Sequence, residues 1–420
     1  MNILLKSAKI VDPTNPVLHL KKRDLLIKNG KIDKIGAKLT NPSKLKELQL
    51  DNLHVSVGWF DSSVCFGEPG FEERETIANG LQVAAMGGFS DIVLNPNTFP
   101  SPDSSSDIIF LKEKAINKAV RLHPMGNLTM QGDGSQMAEL FDMKNAGAVA
   151  FYDYKKSIGD SNLLKIALLY AQNFNGLVCS FPEDIKITGR GTVNEGNVST
   201  RLGLKGVPAL AEELQIVRDL YILEYTGGKL HIPTVSTARS VKLIAEAKKK
   251  NLDVTASVAI HNLAITDQEL ESFDSNFKVR PPLRSTSDTK ALIKGLQSGA
   301  IDFVTADHTP IDIEEKRVEF DNAAYGTIGL ESAFGMLNRL FGLEEAIDLL
   351  IKGRERFELS TPKIEEGAEA CLTLFNPDLE YVFDKAHIGS KSKNAIFVGQ
   401  QLKGIPYGVI NNGRINIRKQ

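Results

Sequence analysis

Residues 61–80 read DSSVCFGEPGFEERETIANG. A strand-like run, HVSVGWFDSSVCF, leads into a Gly-Glu-Pro-Gly turn, and an acidic, helix-favouring segment follows. A strand end of this kind often carries two metal-binding histidines on one face, just before the turn, and this one carries none. The stretch therefore suits either a reaction that runs without imidazoles or a fold kept after its reaction was dropped. Cys65 is the soft donor on the strand. The three cysteines, Cys65, Cys179 and Cys371, are odd in number and far apart, so they form no disulfide framework and fit a reducing, cytoplasmic setting. The glycine-rich TGRGTVNEG reads as a mobile loop, because it lacks the strand–loop–Lys-Ser/Thr context of a phosphate cradle.

The elements that would position these residues alternate in type along the chain. Residues 1–55 give short strands broken by turns, with an Asn-Gly hairpin signal in KNGK, and residues 361–420 behave alike. One small β-sandwich domain built from both termini is expected. Residues 56–360 alternate short apolar runs (GFSDIVLNPNT, AGAVAFYDY, GLVCSF, KLHIPTVS, AIDFVTADHTP) with amphipathic helical segments such as TARSVKLIAEAKKKN. Strands spaced by helices of this length make parallel βαβ units, and seven or eight of them fit an α/β fold of the TIM-like (β/α)8 barrel type. In that architecture polar residues at strand C-terminal ends form the active face.

Composition narrows the partners. A formal net charge of −2 gives no reason to expect nucleic-acid or anionic-membrane binding. No apolar run approaches the roughly 18–20 residues of a membrane span, and MNILLKSAKIVDP lacks a signal peptide's cleavage pattern.

With the strand ends in place, the chain resembles dihydroorotase, of the amidohydrolase superfamily. The resemblance rests on ordered motifs over almost the whole length: GWFDSSVCFGEPG, NPNTFP, AGAVAFYDY, NEGNVSTRLGLKGVPALAEELQIVRDL, HIPTVST, KVRPPLR, TADHTP and YGTIGLES. It implies opening and closure of a cyclic amide, with one or two zinc ions at the barrel mouth lowering the pKa of bound water to roughly 7. An aspartate on the last ligand strand would shuttle the proton.

Carried over residue by residue, the six ligand positions of the family fall on Ser63, Cys65, Asp153, Phe181, Thr234 and Asp307, so all four histidines are replaced. Gly67 stands where an arginine would hold the substrate carboxylate, Arg280 replaces a substrate-contacting asparagine, and Ile311 replaces the second histidine after Asp307. Asn97 remains as a relic of substrate binding and Asp307 as a relic of the acid/base. Two carboxylates make a hard-oxygen site unlike that of zinc, although Cys65 with Asp153 and Asp307 could restore a third ligand. His231, His261 and His308 read as structural or leftover groups.

Scaffold residues persist while losses cluster at strand ends. The resemblance then implies a non-catalytic chain without zinc or another cofactor, acting as a structural or regulatory partner of aspartate carbamoyltransferase in pyrimidine biosynthesis, and a homodimer. The alternatives are an active dihydroorotase or related cyclic-amide hydrolase with an atypical metal site, and a sensor binding a pyrimidine intermediate through Asn97 and Arg280 or Arg284.

Overall fold

A computed structural model describes residues 1–42 and 44–418 of the chain. The middle of the chain closes into a barrel of parallel staves. Trp59–Val64, Phe89–Leu94 and Arg121–Pro124 form one three-stranded run. Leu177–Cys179, Lys229–Ile232, Val254–Ala259 and Phe303–Thr305 form a four-stranded run. The stave between them is short: Phe151 bridges in parallel to Gly126 on one side and Val178 on the other. Its ladder is nonetheless made on both sides, with Tyr152 N donating to Gly126 O (2.9 Å) and Phe151 N to Leu177 O (2.9 Å). Val64 bridges in parallel to His308, which closes the ring.

Aromatic side chains fill the lumen. Phe60, Phe303, Phe357, Tyr152 and Phe181 belong to one buried cluster, and Phe60 lies 5.7 Å from Phe357. The helices form the outer layer, and several are started by a side-chain cap. Ile77–Met86, for example, follows the acidic segment and is capped by Thr76, whose hydroxyl accepts from Asn79 N.

Strands from the two ends of the chain meet in one eight-stranded sheet. His54–Val57 is its hinge, parallel to Ile3–Ile10 and antiparallel to Leu372–Val382. The Asn-Gly signal becomes a tight hairpin between Lys22–Lys28 and Lys31–Gly36, with φ of +50° at Asn29 and +77° at Gly30. The sheet docks on the barrel through aromatic packing: the rings of Phe334 and Phe375 lie 4.7 and 5.5 Å from the indole of Trp59. Beneath the staves, buried Arg354 donates to Gly58 O (2.7 Å) and pairs with Asp91 (3.1 Å), so the segment after the barrel is tied to its first two strands. Among the described residues no helix is long and apolar enough to cross a membrane.

Candidate functional site: a closed barrel mouth

The polar strand ends converge at the C-terminal mouth of the barrel. Asp61, on the first stave, accepts from Thr305 Oγ1 (2.6 Å), Ala306 N (2.7 Å) and Ser63 N (2.9 Å), so it fastens the first stave to the last. Burial pushes its carboxyl up to about 7, against those three donors.

Asp307, just beyond the last stave, is buried and held in a left-handed conformation with φ of +48°. It accepts from Lys155 Nζ (2.8 Å) on one oxygen and Ser63 Oγ (3.1 Å) on the other. Burial raises its carboxyl above the ordinary range, and the ammonium of Lys155 opposes that shift. Asn95 donates to Ser63 Oγ (3.0 Å) and lies 3.5 Å from Cys65 Sγ. Burial raises the Cys65 thiol further above its ordinary value, which keeps it protonated and a poor ligand.

Asp153 is turned the other way. One oxygen accepts from the backbone of Leu128 and Thr129 (3.0 Å each) and the other from Thr129 Oγ1 (2.6 Å). It anchors the loop after the third stave. Among the described residues no three His, Cys, Asp or Glu side chains gather as metal ligands, so Cys65, Asp153 and Asp307 do not form the three-ligand set that their place in the sequence allows.

The other two ligand positions are also buried. Phe181 packs in the lumen cluster. Thr234 has φ of +50°, a conformation that a β-branched residue rarely takes, and its buried hydroxyl finds no partner among the described residues. His231 bridges Thr255 Oγ1 (3.0 Å) and Ser257 Oγ (3.2 Å) and stacks on Phe303 with centroids 5.2 Å apart. Nδ1 of His308 accepts from Gly329 N (3.2 Å). Burial pushes His231, His261 and His308 down to about 3, so all three are neutral imidazoles near neutral pH.

Lys155 is the residue that sequence reading passes over. It follows the strand-end Asp153 in a polar DYKKS run, where a lysine ordinarily points to water. Here its φ is +52° and its side chain is only 11% exposed. Its backbone N donates to Tyr152 Oη (3.0 Å), and the neighbouring Tyr154 hydroxyl meets Thr309 Oγ1 (2.9 Å). Tyr154 and Lys155 thus lie across the mouth from the fourth stave to the last. The one signal in the sequence is a lysine two residues past a strand-end carboxylate.

Two cavities remain beside this closure, and they share no lining residue. One, of about 630 Å³, is lined by Asn97, Asn127, Tyr154 and Lys156 among others. The second, of about 240 Å³, is lined by Glu183, Arg190, Arg280 and Tyr325 among others. None of the six ligand positions lines either cavity. Arg280 is already held bidentately by Glu183, with both contacts at 2.8 Å. Arg284 lines neither cavity: it is buried, donating to Ser236 Oγ, Asn194 Oδ1 and Val207 O. Asn97 and the two arginines therefore do not share one pocket, which corrects the pairing expected from the sequence. The glycine-rich loop is part structured, with the short helix Ile185–Thr188 and a pairing of Val193–Asn194 with Gly206–Val207.

Comparison with known proteins agrees with this architecture. A family model described as dihydro-orotase-like matches residues 54–240. A protein named dihydroorotase from Pelotomaculum thermopropionicum is 39% identical, with 99% of this chain and 98% of that protein covered. One of the same name from Syntrophus aciditrophicus is 36% identical, with 99% of each covered. Among solved structures, the L-hydantoinase (dihydropyrimidinase) of Arthrobacter aurescens superposes with a TM-score of 0.84 over 100% of this chain and 96% of that one, at 22% identity, which speaks to the fold alone.

Proposed function

The chain belongs to the dihydroorotase family, and from that premise we propose that it is a non-catalytic member, a structural or regulatory partner of aspartate carbamoyltransferase in pyrimidine biosynthesis. The observation that carries this reading is the Lys155 ammonium 2.8 Å from Asp307, inside a mouth whose six ligand positions hold no imidazole. A catalytic zinc takes about three protein ligands, with nitrogen or sulfur well represented, and keeps one position open. The donors here are one carboxylate engaged by a lysine, a second engaged by a loop, and a protonated thiol. That set does not fit zinc. Asp307, the relic of the acid/base, has one carboxylate oxygen already engaged by the Lys155 ammonium.

The reading is tested with full-length protein in two assays. Supplied with equimolar zinc, it is expected to neither open dihydroorotate nor close carbamoyl aspartate, and to retain no metal after gel filtration. Tagged protein from its native host is expected to bring down aspartate carbamoyltransferase. Turnover with bound metal would refute the non-catalytic reading, and a carbamoyltransferase that never copurifies and is stable without this chain would refute the partnership.

The second reading, an active cyclic-amide hydrolase with an atypical metal site, draws support from the two retained carboxylates and from relatives named dihydroorotase. The turnover assay separates the two.

A further inference from the structure

Lysines are rarely buried unless a carboxylate answers them. Lys316 closes the short helix Ile313–Lys316, beyond the last stave, and is only 2% exposed. Its Nζ donates to Ser275 O (2.7 Å), Ala324 O (2.9 Å) and Lys278 O (3.2 Å). Three carbonyls take three protons and a neutral amine offers two, so the ammonium is the form these contacts fit. Lys278 is also buried, and its Nζ donates to Phe320 O and Asp321 O (2.8 Å each). Buried Arg354 and Arg284 face carboxylates, on Asp91 (3.1 Å) and Glu212 (3.8 Å). Lys278 and Lys316, by contrast, meet backbone carbonyls alone among the described residues. Burial pulls Lys316 down to about 7, the Lys278 ammonium adds to the shift, and the Asp274 carboxylate opposes it. Two neighbouring buried charges are left without a counter-charge.

A cavity of about 200 Å³ opens beside Lys316 and gathers more cations from distant parts of the chain. Arg317 comes from the same segment as Lys316. Lys385 and Lys393 come from the stretch between the strands Leu372–Val382 and Gln401–Asn411. Asp274 is the one acidic residue of the lining, and its carboxylate already accepts from Asn276 N (2.8 Å). Lys393 Nζ uses two of its protons on Ile388 O (2.8 Å) and Ser390 O (2.7 Å) and keeps a third. Arg317 and Lys385 are exposed, and their side chains have no hydrogen-bond or ion-pair partner among the described residues. Four positive charges therefore converge on a space that holds one negative charge. Like charges repel, so the arrangement is incomplete without an anion.

Size and donor type select the anion. The cavity is smaller than the roughly 300 Å³ at which pockets for drug-sized ligands begin, so it takes a small ion or the end of a larger molecule. Three of the four cations are lysines, which act as point charges, and they approach from separate segments. That suits the tetrahedral oxygens of a phosphate; a planar carboxylate is better matched by a single guanidinium fork. We propose that this cavity is a binding site for a phosphate-class oxyanion, either the free ion or the terminal phosphoryl groups of a larger molecule. Arg317, Lys385 and the third proton of Lys393 donate to it. Lys316, whose protons are all engaged, contributes its charge. Bound there, the anion joins the loop after the last stave to the stretch that carries Lys385 and Lys393. The site shares no lining residue with the two cavities beside the barrel mouth.

Calorimetric titration of the full chain tests this, with sodium phosphate, sodium pyrophosphate and metal-free adenosine triphosphate at one fixed ionic strength. Wild type is expected to bind pyrophosphate saturably with a Kd below about 1 mM, and its Tm to rise with the anion's concentration. Arg317→Gln with Lys385→Gln removes two donors and is expected to weaken binding at least about tenfold. Lys242→Gln with Lys249→Gln removes the same charge from exposed positions of the helix Ala238–Lys249, which does not line the cavity. That pair is expected to leave the affinity within about twofold of wild type. Circular dichroism verifies that both double variants fold, since all four residues are exposed. Adenosine triphosphate binding at least about tenfold tighter than pyrophosphate would assign the site to the phosphoryl end of a larger molecule, and equal or weaker binding to the free ion; both uphold the proposal. No saturable binding of any of the three overturns it. So does an affinity that Arg317→Gln with Lys385→Gln leaves unchanged, or one that both pairs weaken alike, which general surface charge would explain. None of these measurements depends on turnover or on a carbamoyltransferase.

Discussion

Lys155 and Asp307 illustrate how a buried pair behaves once one charge needs the other. Replacing Lys155 by Ala leaves the Asp307 carboxylate buried without its partner, which costs about 3–5 kcal/mol. Lys155→Met with Asp307→Asn removes both charges and is expected to recover most of that loss; urea unfolding of the single and double variants checks it. A single variant within 1 kcal/mol of wild type would show that the ammonium does not hold the mouth. Thr234 is a second site where one side chain is at odds with its backbone. Its positive φ and unpartnered hydroxyl both cost stability, and Thr234→Gly removes both. The expected outcome is a gain of about 1 kcal/mol, read as a higher Tm; a loss would mean that the threonine methyl packs better than its backbone strain suggests.

At the scale of elements, the barrel closes through Asp61, which joins the first and last staves by a carboxyl raised to about 7. The folded pKa lies above the unfolded value of 3.8, so between those limits the folded chain binds more protons and loses stability as pH rises. This contribution is complete below about pH 4 and is lost by about pH 7. Over that range the stability difference between wild type and Asp61→Asn is expected to move by up to about 4 kcal/mol, wild type being favoured at the acid end. The three neutral histidines act in the opposite sense on both proteins and cancel in the comparison. Denaturant titrations at pH 4.5 and 7.5 measure it, and a difference that does not change with pH, or grows toward pH 7.5, would contradict the assignment. The short fourth stave shows how little regular strand such a closure needs, since Phe151 and Tyr152 complete the ladder. The alternation of apolar runs and helices made these staves readable, including AGAVAFYDY.

For the whole molecule, the terminal sheet and the barrel are interdependent. Leu372–Val382 pairs with His54–Val57, immediately before the first stave, and Phe375 packs on Trp59. A chain ending at residue 371 leaves the edge of His54–Val57 unpaired and strips Phe375 from Trp59, and it is expected to yield insoluble or non-cooperatively unfolding protein; a soluble truncated chain with a sharp thermal transition would count against that dependence. The sequence by itself determined the class of fold, the participation of both chain ends in a β domain, and the absence of imidazole from the six positions that the resemblance assigns to metal ligands. These follow from periodicity, turn chemistry and ordered motifs, which are local and survive without a partner in space. Only the tertiary structure decided that Lys155 reaches Asp307, that Asp153 serves a loop, and that Asn97 and Arg280 face separate cavities. Those facts relate residues 24 to 183 positions apart, and no periodicity within one segment encodes where a side chain on another stave will point.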